Sequence, residues 1–255
     1  MKKPASLSTR LLPLLAVLLV LGIWWLVTAT GQVPTFMLPG PIAVFEALIA
    51  DWGLLMSNLV VTLQEALWGL LLGLLLGIVL AIIMDQVSWL YQMVYPLLVI
   101  SQTVPTIALA PLLILWFGYG MMPKIILICL TTFFPVAIET LAGLRQTPDE
   151  LLTLLATMQA KWWQTLWFVK LPSAIDHIFA GLRVAVAYAV ISAVVSEWVG
   201  GIAGLGVYMT RVKKAYAFDR MFAVIIIITA LSLGLMGLVS WLQRIVEPWR
   251  RKHAN

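Results

Sequence analysis

Charge is what this chain has least of. Of its 255 residues only 11% are charged while 62% are hydrophobic, and mean hydropathy is +1.03. A soluble domain carries about 25% charged residues. The polar residues are too few to cover a water-facing surface, so lipid is the solvent for most of the chain. At about 20 residues per span, the length allows roughly six spans with short connections and leaves no room for a further soluble domain.

Cysteine and histidine are almost missing as well. Cys129 is the only cysteine and lies in an apolar run, which excludes a disulfide framework or a cysteine-based metal site within one chain. The two histidines, His177 and His253, are far apart in sequence, so neither a metal nor a bound cofactor is expected. No glycine is followed by lysine anywhere, whereas a P-loop requires G-x-x-x-x-G-K-[ST]. Nucleotide binding through a P-loop in this chain is therefore not expected. A protease working inside the membrane needs a serine–histidine pair, paired aspartates or a metal site. Neither histidine falls mid-span, and Asp85 and Asp176 sit at span ends, so no catalytic residue is assigned and an enzyme is not expected. The net charge of +5 forms no basic stripe, so nucleic acid is not an expected partner; membrane lipid is.

What the chain does have is long apolar runs. They predict an all-α integral membrane protein, one transmembrane domain over 1–255, with spans at about 11–30, 58–84, 90–117, 123–143, 174–199 and 221–246. The first run follows a basic leader and could be a cleaved signal peptide. At about 20 residues it exceeds the usual 7–15 of such a region and no A-x-A site follows, so it is read as an uncleaved span. Pro41 to Asp51 reads as a short interfacial helix. Gly69, Gly73 and Gly77 repeat G-x-x-x-G, a smooth face on which another backbone can lie close. Pro96, Pro105 and Pro111 should bend or break the third span.

Six spans with an inner N-terminus put Lys2, Lys3, Arg10, Arg145, Lys161, Lys170, Arg183, Arg244, Arg250, Arg251 and Lys252 on the cytoplasmic side. Lys124, Arg211, Lys213, Lys214 and Arg220 fall outside. The bias follows the positive-inside rule and places both termini in the cytoplasm; the Arg211–Arg220 cluster runs against it.

The long cytoplasmic excursion is 147–172. Thr147, Pro148 and Glu150 form a capping box. Leu151, Leu154, Leu155 and Met158 then share one helical face. A second short piece offers Trp162, Trp163, Leu166 and Trp167, ends at Leu171-Pro172, and is followed by a second capping box at Ser173 and Asp176. Such a surface fits either the headgroup layer or a groove on a soluble partner.

Here the chain resembles the permeases of binding-protein-dependent ABC importers, whose coupling loop carries E-A-A, three residues, G, nine residues, I-x-L-P. Val169, Leu171 and Pro172 match its end, and Trp163-Gln164-Thr165-Leu166-Trp167 is similar to the aromatic stretch before it. Thr153-Leu154-Leu155 stands in place of E-A-A and Gln159 in place of the glycine, while Ala156 and Met158 are compatible. Glycine eases that turn by tolerating positive φ, so Gln159 should make it costlier. Leu38-Pro39-Gly40-Pro41, Pro105 to Pro111, Leu115-Trp116-Phe117-Gly118, Gly181-Leu182-Arg183, Glu197-Trp198 and Gly204-Leu205-Gly206 extend the resemblance along nearly the whole chain.

These motifs point to the sulfonate, taurine, nitrate and pyrimidine branch. Thr62 to Ala66, Ser101 to Pro105 and Val207-Tyr208-Met209 look most like permeases for hydroxymethylpyrimidine, a thiamine precursor. The resemblance implies a type I importer fold in the bacterial inner membrane. It also implies a homodimer, a separate ABC ATP-binding subunit and an extracytoplasmic solute-binding protein. Sulfonate, taurine, nitrate or riboflavin are the alternative solutes.

Ionisable groups within a bilayer are costly, so Glu65, Glu139 and Glu197 are candidates for a translocation path, with Gln102 as a hydrogen-bonding neighbour. The same acids could instead sit near headgroups or bond the backbone. Pro105 could open an unwound, polar stretch of that path or simply kink the helix.

Overall fold

A computed structural model describes the backbone of residues 7–247 apart from Gln32 and Thr35, and the side chains within it apart from 7–10, 13 and 14. The expected basic anchors Lys2, Lys3, Arg250, Arg251 and Lys252, and His253, lie outside the described residues. The elements are α1 (Leu7–Ala29), α2 (Pro41–Ala50), α3 (Trp52–Gln86), α4 (Ser88–Ser101), α5 (Thr106–Phe117), α6 (Met121–Arg145), α7 (Asp149–Thr157), α8 (Trp162–Thr165), a π-helical turn (Leu166–Lys170), α9 (Leu171–Gly200), α10 (Leu205–Lys214) and α11 (Phe218–Val246). No strand occurs among the described residues.

Four helices are long and apolar enough to cross a membrane among the described residues, or five if the bent pair α4 and α5 forms one span. The described apolar part of α1, Leu15–Ala29, falls short of that length. The expected third span is two helices at 100° to each other. Of its three prolines only Pro105 lies at the break; Pro96 and Pro111 are inside helices. Ser101 and Thr103 hydroxyls donate to the Leu98 and Ile100 carbonyls at 2.7 and 2.8 Å. The Ile100 carbonyl also accepts the Thr103 N–H at 3.0 Å, so carbonyls at the break keep partners inside the protein.

The chain forms two compact units. The first comprises Met1–Ser57 and Tyr208–Ile227. Its core joins Val44 and Ala47 of α2 to Ala223 of α11, with Trp24 stacked on Phe222 at 5.8 Å. The Trp24 indole also donates to the Pro39 carbonyl, so this residue is anchored by protein contacts and not by an interfacial belt alone. Asp51 accepts a hydrogen bond from Tyr208 and pairs with Arg220 at 3.2 Å. Burial, then the bond to Asp51, holds the Tyr208 hydroxyl above its ordinary pKa, so it remains a donor.

The second unit, Asn58–Val207 with Ile228–Asn255, is built around α6. Ala66 and Leu70 of α3, Ile128 and Val136 of α6, and Ala185, Val186 and Ala189 of α9 form one buried cluster. The G-x-x-x-G face does what its spacing suggested. A Cβ on Gly69 would strike Ile128, one on Gly73 would strike Thr132, and one on Gly77 would lie 2.8 Å from the Phe133 carbonyl. On the other flank a Cβ at Gly181 would lie 2.9 Å from the Pro135 carbonyl. Arg183 of α9 donates a hydrogen bond to Gln243 of α11.

Two expected caps are not caps. Pro148 is the N-cap of α7, with no side-chain hydrogen bond, and the Thr147 hydroxyl turns back to the Leu144 carbonyl at 3.0 Å. The residue before a proline is held extended, which puts Thr147 one position too early to cap. Ser173 donates to the Val169 carbonyl at 2.8 Å within a continuous helix. Leu171-Pro172 does not end the second piece: Leu171 N–H bonds the Leu166 carbonyl five residues back, a π turn that carries the helix on without a break.

Replacing Gly77 by leucine should lower stability by about 1–3 kcal/mol through overpacking, read as an earlier thermal midpoint in detergent. Gly234, with nothing within 4 Å of a built Cβ, should accept alanine without loss; equal effects at both positions would refute the α3–α6 packing.

Candidate functional site

The sequence-predicted site residues separate into three places. Glu65 and Glu197 meet in one buried cluster where α3 and α6 begin and α9 ends. Lys124 Nζ pairs with Glu65 Oε1 at 2.6 Å, with side chains 7% and 3% exposed. Glu197, 1% exposed, accepts from the Thr62 hydroxyl at 2.7 Å and from the Gly206 N–H at 2.5 Å. Thr62 in turn accepts from Leu205 N–H at 2.9 Å, and Asn58 Oδ1 accepts from Gly204 N–H at 2.9 Å. Gly204 has φ +123, and its open α-carbon faces the Glu197 carboxyl, so no side chain fits there. The loop after α9 is thus bonded to α3 by side chains that leave its backbone satisfied.

Lys124 and Asn58 were not among the sequence candidates. Lys124 read as a loop charge because it follows Pro123 at the start of a span. Only the packing of α6 on α3 brings its ammonium to Glu65. A buried ion pair of this kind is costly to break from one side.

Gln102 is not a neighbour of these acids. It lies with Pro105 at the α4–α5 break and lines a cavity of about 480 Å³. Ser101, Thr131, Phe133, Tyr188 and Ser192 also line it, from α4, α6 and α9. Thr131 and Ser192 hydroxyls lie 2.9 Å apart and tie α6 to α9 across its floor. Glu139 is in the third place, away from both. Its carboxylate is 41% exposed and lies 3.2 Å from His177 Nδ1, whose other ring nitrogen is 3.0 Å from Gln146 Oε1.

The segment 149–170 has the exposed apolar surface its spacing suggested. Leu151, Leu154 and Met158 are exposed, as are Trp162, Trp163, Trp167 and Phe168. Thr153, Ala156 and Pro172 are exposed and Leu171 is half-buried. Leu166 is the exception to the expected face: it is 4% exposed and packs with Leu144 and Ala174. Between α7 and α8 the turn is a Schellman motif, with Gln159 N–H on the Ala156 carbonyl and Ala160 N–H on the Leu155 carbonyl, both at 3.0 Å. Gln159 occupies the left-handed position, φ 55. Thr153 spends its hydroxyl on the Asp149 carbonyl at 2.8 Å.

Besides the buried Leu166, an ion pair fastens this segment to the bundle. Lys170 Nζ, in the π turn, pairs with Asp85 at the end of α3 at 2.7 Å, with side chains 15% and 3% exposed. From Trp162 to Gly200 the chain is one helical run of 39 residues.

Residues 73–252 match the family model for the binding-protein-dependent transport system inner membrane component. A "Probable ABC transporter permease protein" of Haemophilus influenzae is 41% identical over 237 residues, covering 92% of this chain and 97% of that one. The formylaminopyrimidine transport permease protein ThiX of Halalkalibacterium halodurans is 37% identical over 235 residues, covering 92% and 94%. In fold, the chain is similar to an inward-facing structure of the MetNI methionine ABC transporter. That match has TM-score 0.67 at 18% identity and covers 77% of this chain and 98% of that chain.

Two outcomes test this geometry. Lys124→Met should destabilise the protein by about 3–5 kcal/mol, and Lys124→Met with Glu65→Met should recover part of that loss; unfolding in detergent, run as a double-mutant cycle, measures both. Gln159→Gly should relieve roughly 1 kcal/mol of left-handed strain and slow proteolysis between α7 and α8, where faster cleavage would contradict the strained turn.

Proposed function

The chain belongs to the family of binding-protein-dependent transport system inner membrane components and is the permease subunit of an ABC importer, and from that premise we propose how it couples and what it carries. Two copies pair in the inner membrane with two ABC ATP-binding subunits. They receive solute from an extracytoplasmic solute-binding protein, and both termini lie in the cytoplasm. The solute is a small pyrimidine of the thiamine-precursor type, hydroxymethylpyrimidine or a close relative. Similarity to a formylaminopyrimidine permease at 37% identity supports that choice over sulfonate or taurine, whose permeases are 32% and 31% identical, while a riboflavin permease at 38% keeps riboflavin as the second reading.

One observation carries the coupling. The exposed aromatic face of 162–170 is joined to α9 without a hinge, because the π turn keeps the helix continuous where Pro172 lacks an N–H. Trp163, Trp167 and Met158 offer apolar knobs for a groove on the ATPase. When two ATPase subunits close on ATP they draw the two segments together, and each α9 tilts as one lever. Hydrolysis releases the pair and the path faces inward again. Chemistry stays in the partner, while this chain supplies the moving wall.

Trp163→Glu with Trp167→Glu should abolish co-purification with a Walker-motif ATPase while leaving the membrane level of the chain unchanged. Retention of the ATPase at wild-type stoichiometry would remove the docking role of this face. Labelling of a cysteine at position 163 from the extracytoplasmic side would remove the topology on which it rests.

A further inference from the structure

The cavity at the α4–α5 break has a polarity that its residue types alone do not reveal. No Asp, Glu, Lys, Arg or His lines it. Its walls include the rings of Phe133, Tyr188 and Pro105. Its volume of about 480 Å³ lies within the range of small-molecule sites, roughly 300–1,000 Å³.

The hydrogens on its hydroxyls can be counted. A serine or threonine hydroxyl has one proton to give and two lone pairs. Thr131 lies 2.9 Å from the Ile128 carbonyl, a group that can only accept, so Thr131 spends its proton there. Ser192, 2.9 Å from Thr131, must then donate to it. The chain Ser192 to Thr131 to Ile128 uses both protons and leaves Ser192 with lone pairs only. Ser101 spends its proton on the Leu98 carbonyl at 2.7 Å. Three lining hydroxyls are thereby fixed as acceptors. The Gln102 amide and the Tyr188 hydroxyl have no side-chain hydrogen bond among the described residues, and each can take either role.

We propose that this cavity is a solute-contact site selective for an uncharged, flat heteroaromatic molecule that presents N–H donors. Ser192 and Ser101 accept from the solute's amino or ring N–H groups, Gln102 and Tyr188 adapt to its remaining edge, and Phe133 and Tyr188 meet its faces. An anion finds no cation there, and at Ser101 and Ser192 it meets lone pairs; the neutral donors left to it at Gln102, Thr106 and Tyr188 do not balance a full charge in a low-dielectric wall. The charges of this bundle are held elsewhere, Lys124 by Glu65 and Lys170 by Asp85. The inference rests on the permease reading and gives its solute class a set of contact residues.

The test uses the full-length chain with its ATPase in lipid nanodiscs, without the binding protein, titrated with radiolabelled hydroxymethylpyrimidine. Wild type should bind the label, and methanesulfonate should not compete. Ser192→Ala should weaken binding about five- to tenfold, the loss of roughly one hydrogen bond, and Ser192→Thr should restore it. Unchanged ATPase co-purification in both variants shows that the fold is intact. Equal binding by wild type and Ser192→Ala overturns the site, as does competition by methanesulfonate. Absence of binding by wild type also overturns it; pyrimidine uptake by intact cells then leaves the importer reading standing, whereas absence of uptake removes the pyrimidine assignment as well.

Discussion

The close approach of α3 and α9 to α6 is the constraint on which the second unit depends. Apolar side chains gain little by leaving lipid for one another, so helices in a membrane hold together through contact at short range. Gly69, Gly73 and Gly77 remove the side chains that would keep α3 away, and Gly181 does the same for α9. The ion pair and the cavity hydroxyls hang from the helix between them. Lys124 begins α6, Thr131 faces the cavity, and Gly143 near its end takes α9 at His177 and Ala174. Were that approach looser by one side chain, neither the ion pair nor the hydroxyl bridge could close.

Polar groups inside this bundle are handled in two distinct ways. Ionisable side chains are gathered where they find partners. Glu65 has Lys124, Glu197 has Thr62 and the backbone of Gly206, and Asp85 has Lys170. Hydroxyls are used locally. Ser101, Thr103, Thr131, Thr132 and Ser196 each donate to a carbonyl three or four residues back. The result separates structural charge from the cavity. A wall without formal charge can contact a solute and release it, while the charges fix the helices around it.

Helix α9 joins these regions in a single body. The exposed tryptophans lead into it, Ser192 lines the cavity from it, and Glu197 anchors its far end to the loop at Gly204. The exposed tryptophans, the cavity wall at Ser192 and the Glu197 cluster therefore lie along one helical run. Strain is kept on the other side of Gln159, whose left-handed backbone sits in the turn between α7 and α8. A costly turn there leaves the lever itself regular.

Four of the six spans, the glycine face, the exposed amphipathic segment and the family were legible in the chain, because each is a local pattern written in consecutive residues. Helical periodicity needs no partner to be read, and a membrane helix must satisfy its own backbone. Other features depended on which residues meet across helices. Glu65 and Glu197 were candidates for a path, yet they form a closed cluster with Lys124, which spacing had assigned to a loop. Gln102 stood out in the sequence, but its companions Thr131, Tyr188 and Ser192 are ordinary residues until α6 and α9 pack beside it. Thr147 and Ser173 have the letters of caps and the geometry of helix-internal hydroxyls, since a proline and a π turn decide where the helices begin. Sequence alone determined what must lie in lipid and what must stay out of it. Tertiary structure decided which polar groups find each other, because that depends on distances between helices that no single segment encodes.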